Sequence, residues 1–345
     1  MNSSNISPPS LTLKQWQSQA PATTMILGEH SVVYGFPAMA CAVDQFITID
    51  WQQRTDNEIH IHSELATFKT QLNSIENHPK LQFVLKALQA FAPHLKHGLT
   101  LTIRSDFSAT VGLGSSAAVL AAMLHGLKTI TQQDLNIDAL FKMGHSIIIA
   151  IQKRGSGTDL AASLTGGGIF FEPATDSESS AKITPITLSM PLTLIYSGYK
   201  TPTSEVLTQV AERWQDKPQE LNALYQQMGD LTQSAFNTLQ KSPLQEGGGK
   251  NLKFYHTIIQ YQALMEQLGV SDATLNRITG LLIRLPTIHA AKISGSGLGD
   301  CVLGLGTIRI KPQHRLHEFE IMQRYTTPHG ATTKIVTHPD QAATS

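Results

Sequence analysis

Residues 99–127 read LTLTIRSDFSATVGLGSSAAVLAAMLHGL, an order that leaves the backbone few choices. LTLTIRSD alternates apolar and polar residues over 99–106, as a half-buried strand does. Leu120, Met123, Leu124 and Leu127 then recur at the spacing of one buried helix face. Between strand and helix stand Gly112, Leu113, Gly114, Ser115 and Ser116, with Ala117 after them. The first N–H groups of a helix have no internal partner, and the helix dipole makes that end partly positive. Glycines clear side chains from the approach, so an anion can reach those donors. The two hydroxyls can donate to phosphate or ligate a hard cation. The segment fits neither the Gly-x4-Gly-Lys-Ser/Thr phosphate loop nor G-x-G-x-x-G. On spacing alone it reads equally as a phosphate cradle or as a helix cap packed into a core.

Two further glycine-rich stretches follow. RGSGTDLAASLTGGG, 154–168, places Asp159 at the start of a small-residue helix. A lone Asp there reads first as a helix cap; as a functional group it would take a proton from a hydroxyl or help hold a metal. KISGSGLGD, 292–300, offers three glycines with Ser294 and Ser296, either for close approach to a ligand or for a tight bend between helix and strand.

The remaining sequence predicts a mixed α and β protein. Residues 1–19 read as a loose polar arm. FITIDW and EIHIHSE alternate and predict a hairpin joined by QQRTDN. Helices are expected near 81–91, 138–152, 203–214, 217–240 and 252–267, and strands at LTLIYSG and 301–306. PATDSESSAKITP reads as a surface connection and EGGGKNL as a flexible break. The 26 basic and 26 acidic residues cancel, which argues against a nucleic-acid surface. Only Cys41 and Cys301 occur, so no disulfide framework can form and a reducing, cytoplasmic compartment is expected. The N-terminus lacks the apolar core of a signal peptide, and IIIAI is far too short for a membrane span.

Three motifs, in this order, resemble the GHMP superfamily of small-molecule kinases: APATTMILGEHSVVYGFPA (20–38), GLGSSAA (112–118) and KISGSGLGDC (292–301). The resemblance implies an α+β, two-domain GHMP kinase fold. Residues 1–185 would form a ribosomal-protein-like βαβ domain carrying nucleotide and catalysis, and 186–345 a ferredoxin-like domain. It also implies ATP and Mg²⁺ as cofactors. Gly112, Leu113, Gly114, Ser115, Ser116 and Ala117 would hold the nucleotide, with Ser116 on the metal. Asp159 would be the catalytic acidic residue that faces the substrate hydroxyl. Glu29, His30, Thr201, Gly295 and Ser296 would surround the substrate.

GEHSVVYGFPA resembles the mevalonate kinase branch, which implies phosphorylation of the primary hydroxyl of mevalonate in isoprenoid precursor synthesis. The loop before Asp159 is closer to the phosphomevalonate branch, and phosphomevalonate is the rival acceptor. A nucleotide-binding sensor without turnover is a third reading, and a homodimer is open. Two departures stand out. Thr23 occupies the place of a lysine that lies beside the transferred phosphoryl group in the mevalonate branch, with Lys153 and Lys200 as candidate substitutes. The metal-binding Glu expected upstream of Asp159 is also missing.

Overall fold

Alternation along the first described strand sets the frame. In β1 (Gln15–Leu27), Trp16, Ser18 and Ala20 turn inward and the strand pairs antiparallel with β2 (Ala38–Gln53). The computed structural model describes residues 14–108, 112–175, 180–245 and 251–336. The chain continues through β3 (Glu58–His62), β4 (Thr67–Gln71), α1 (Gln82–Phe91), β5 (Leu99–Ser105), α2 (Ser115–Ile130), α3 (Ile137–Gln152), α4 (Thr158–Thr165), β6 (Gly168–Glu172) and β7 (Lys182–Ile186). Its second half comprises β8 (Pro191–Tyr196), α5 (Thr203–Arg213), α6 (Pro218–Lys241), α7 (Leu252–Leu268), α8 (Ala273–Leu282), β9 (Ile288–Ser294), β10 (Cys301–Gly306), β11 (Glu320–Tyr325) and β12 (Thr332–Ile335).

The larger sheet has the order β12-β1-β2-β5-β3-β4, with β6 pairing β2 further along its length and β7 pairing β6. Helix α2 lies across β1 and β2, and α1, α3 and α4 pack around it. The smaller sheet has the order β11-β8-β10-β9 with every neighbour antiparallel. Numbered within that half, the order is fourth, first, third, second, the ferredoxin-like pattern the sequence implied. Helices α7 and α8 cover it. The boundary expected at 185/186 would cut β7 before its last residue, and β12 carries the chain back to the first sheet.

Several expectations are corrected. Residues 15–19 belong to β1 rather than to a loose arm, because Trp51 Nε1–H donates to Ser18 Oγ (2.8 Å) and seals that end of the strand. β2 and β3 are not a hairpin: β5 inserts between them, antiparallel to β2 and parallel to β3. This buries Leu99 and Leu101 against Trp51, Ile59 and Ile61. Gly98 makes the insertion fit, since a Cβ there would lie 2.1 Å from the Glu58 carbonyl oxygen. The connection read over 173–185 contains β7, and α8 was not anticipated. EGGGK, 246–250, lies outside the described residues. Among the described residues no helix is long and apolar enough to cross a membrane. Both cysteines are free and buried.

Candidate active site

The three glycine-rich stretches meet, and the outer part of β1 threads between them. Successive side chains of a strand point to opposite faces, and residues 21–30 use both. Thr23 N–H donates to the Leu113 carbonyl (3.2 Å), stitching β1 to the loop before α2. Its hydroxyl donates to Asp159 Oδ1 (2.9 Å). Thr24, facing the other way, shares a hydrogen bond with Ser294 Oγ (2.9 Å) at the end of β9. Further along, Tyr261 O–H donates to the Glu29 carbonyl (2.9 Å) and accepts from Gly28 N–H (3.0 Å).

The loop at 112–116 is shaped by what it touches. Gly114 has φ 64° and is the residue from which α2 starts; a Cβ on it would lie 2.2 Å from Thr23 Oγ1. Only glycine therefore lets the N-terminal end of α2 sit against Thr23, and through it against Asp159. Leu113 and Ala117 are buried beneath this turn, while Ser115 is half-buried and Ser116 exposed. From these two serines a cleft continues between Ile47, Leu81, Val84, Ile103 and Phe107, a slot with apolar walls.

Asp159 stands in the first turn of α4, but the cap position is Gly157, so the carboxylate is not a helix cap. Burial holds its pKa above the ordinary carboxylate range. The Thr23 hydrogen bond opposes that shift, Glu29 and Asp300 add to it, and Lys200 opposes it. A carboxylate tuned upward toward neutrality suits proton acceptance from a hydroxyl.

His30 is buried with φ 64°, and burial lowers its pKa to about 4, the Ser296 carbonyl opposing. It is therefore neutral near pH 7. Its Nε2 lies 2.8 Å from the Ser296 carbonyl oxygen, which only accepts. Nε2 then carries the proton, leaving Nδ1, buried and without a hydrogen-bond partner, as an acceptor.

Glu29 is committed elsewhere: Lys292, wholly buried, donates to its Oε1 and to the Ile293 carbonyl. Thr201 O–H donates to the Leu298 carbonyl (2.6 Å) and so braces the third glycine loop. Gly295, with φ 94°, and Ser296 belong to that loop. The structure thus brings Gly112, Gly114, Asp159, His30 and Ser296 together with the loop held by Thr201.

Lys153 is exposed at the end of α3 with Nζ turned back toward the Ala150 carbonyl. Lys200 instead pairs with Asp300 (3.0 Å) beside Gly112. Sequence reasoning did not single out Lys292, Tyr261 or Asp300. A lysine in the otherwise apolar run before SGSG was the signal for the first. A lone acid ending a glycine stretch was the signal for the last.

Similarities to known proteins extend over most of the chain. Residues 82–167 match the GHMP kinases N terminal domain. A mevalonate kinase of Pyrococcus furiosus is 27% identical over 303 residues, covering 84% of this chain and 88% of its own. The crystal structure of L. major mevalonate kinase in complex with R-mevalonate has a similar fold, with TM-score 0.72 and 19% identity over 91% of this chain and 96% of that one. Streptococcus pneumoniae phosphomevalonate kinase, in complex with phosphomevalonate and AMPPNP, superposes with TM-score 0.70 and 16% identity over 90% of this chain and 99% of that one. The motifs, the two-sheet fold and these similarities agree: the chain carries a GHMP kinases N terminal domain and is a kinase similar to mevalonate kinases over most of its length.

Proposed function

We propose that this kinase transfers the γ-phosphoryl group of ATP to the primary hydroxyl of mevalonate. The observation that carries the reading is the contact from Gly114 through Thr23 to Asp159, which sets a pKa-raised carboxylate beside the anion-binding start of α2. Similarity to curated mevalonate kinases supports the choice of acceptor. Residues 1–185 would supply nucleotide site and base, and 186–345 the loop that closes over them.

The adenine would lie in the apolar slot beyond Ser115 and Ser116, with the phosphates over Gly112–Ser116. The acceptor hydroxyl attacks the γ-phosphorus, a new O–P bond forms, and the bond to the β-phosphate oxygen breaks, ADP leaving with the electron pair. Asp159 takes the hydroxyl proton. His30 Nδ1, a neutral acceptor, would orient a substrate hydroxyl, and Thr201 would keep Gly295 and Ser296 closed over it. The residues present fit a divalent cation: Ser116 offers an exposed hydroxyl, and Asp300 Oδ1 is a buried oxygen without a hydrogen-bond partner. Bound Mg²⁺ would supply neutralisation of phosphate charge.

One observation favours phosphomevalonate instead. Lys142, His145 and Arg154 line a cavity with Ser156, three residues before Asp159, where a second anionic group would be welcome. A coupled ADP-release assay with Mg-ATP separates the two, and turnover on mevalonate alone is expected. Turnover on 5-phosphomevalonate alone would replace the reading with the second one. Asp159→Asn should lower kcat by about 10²–10⁴ while leaving ADP affinity near normal. An Asn variant with unchanged kcat would remove Asp159 from the role of base.

A further inference from the structure

Asp300 is placed where its charge is hard to justify. It ends the third glycine loop with φ 67°, in the left-handed region that favours glycine. Its backbone is pinned on both sides, N–H to the Tyr199 carbonyl (2.8 Å) and carbonyl to Ser197 N–H (2.9 Å). Only 6% of the residue is exposed. One carboxylate oxygen, Oδ2, is 3.0 Å from Lys200 Nζ. The other, Oδ1, is buried and has no hydrogen-bond partner. It is aimed at the phosphate loop, since a Cβ on Gly112 would lie 2.0 Å from it.

A buried anion facing an anion-binding loop is repelled by whatever that loop binds. Lys200 neutralises one oxygen; the neutral Cys301 thiol lies beside the carboxylate, but no charge compensates the oxygen nearer Gly112. A divalent cation between the carboxylate and the nucleotide phosphates removes the conflict. Mg²⁺ is ordinarily held by one or two carboxylates together with substrate phosphates and water, rather than by an all-protein cage. Among the described residues no three acidic, His or Cys side chains converge as a ready-made cage. The loop before Asp159, where a metal-binding Glu was sought, carries no other acid.

We infer that Asp300 is the protein carboxylate that ligates the divalent metal accompanying the nucleotide, so that the metal joins the C-terminal glycine loop to the loop before α2. This rests on the phosphotransfer reading. Lys200 holds Oδ2 and fixes the orientation of the carboxylate, leaving Oδ1 for the metal.

The test is Mn²⁺ binding in the presence of ADP, counted by the EPR signal of free Mn²⁺, with ADP affinity without metal measured alongside. Asp300→Asn should weaken Mn²⁺ binding by at least about tenfold, the lower end of what losing even an outer-shell partner costs. Its metal-free ADP affinity should not fall. Asp300→Gly, which relieves the left-handed backbone, should stay folded by thermal denaturation and lose the metal equally. Lys200→Met should retain the metal. Unchanged Mn²⁺ binding in folded Asp300→Asn overturns the inference and leaves the nucleotide reading standing. Equal loss in Lys200→Met would make Asp300 an anchor for Lys200, and also overturns it. A wild-type protein that binds no ADP at all overturns both.

Discussion

Thr23 shows how one side chain reshapes a site. A lysine there would place a full charge beside Asp159; the threonine offers one hydroxyl, donated to Oδ1. That bond pulls the Asp159 pKa down against the upward push of burial. Thr23→Val removes it, so the carboxyl becomes harder to ionise. Because the base must be ionised to accept a proton, the acid limb of the kcat–pH profile should move to higher pH in the variant. A limb that stays in place or moves down would mean that Thr23 does not tune Asp159. Asp159 and the glycine loop before α2 were singled out through the order of three motifs, because glycine spacing and a lone acid before a helix, taken locally, read equally as caps and packing. The Thr23–Asp159 bond was not, since it joins residues 136 positions apart. The same distance effect hid Lys292, whose partner Glu29 lies on another element.

Among the elements, β1 and β9 are held side by side by buried polar links. Lys292 and Glu29 form a salt bridge with side chains 0% and 2% exposed, and burial pulls the lysine pKa down while Glu29 opposes. Removing one member leaves a charge with no counterpart in the interior. Lys292→Met is therefore expected to cost about 3–5 kcal/mol in urea denaturation. Adding Glu29→Gln should recover much of that loss; a loss that persists in full would point to packing rather than charge. Helices α5, α6 and α7 lie within a residue of the ranges expected for them. Periodicity misled at β2 and β3, where two alternating strands invite a hairpin. The pairing was decided by β5, which offers Leu99 and Leu101 to strands on both sides, a preference expressed only once α1 carries the chain across.

At the scale of the whole molecule, the segment after β11 braces the helix that carries Asp159. After β11, Thr327 N–H donates to the Ala42 carbonyl (3.0 Å) and its carbonyl accepts from Gly167 N–H (2.8 Å). Ala331 N–H donates to the Leu164 carbonyl (3.2 Å) in the last turn of α4, the helix that carries Asp159. Gly330 fits only as glycine, because a Cβ there would lie 2.3 Å from the Leu164 carbonyl oxygen. Deleting residues 326–345 should lower Tm, at roughly 2–4 °C for each kcal/mol lost. It should reduce kcat more than ADP affinity. Equal Tm and kcat in the truncated chain would show that the brace is dispensable.

The pairing of Trp16 with Ile335 and of Gln19 with Thr332 also bears on how the protein is made. β1 leaves the ribosome well before β12. Until β12 emerges, that side of β1 is an open row of backbone donors and acceptors, able to pair with any extended chain nearby. Once paired, the thirteen-residue β1 is no longer the edge there, and the four-residue β12 takes its place as the short edge that a natural sheet tolerates.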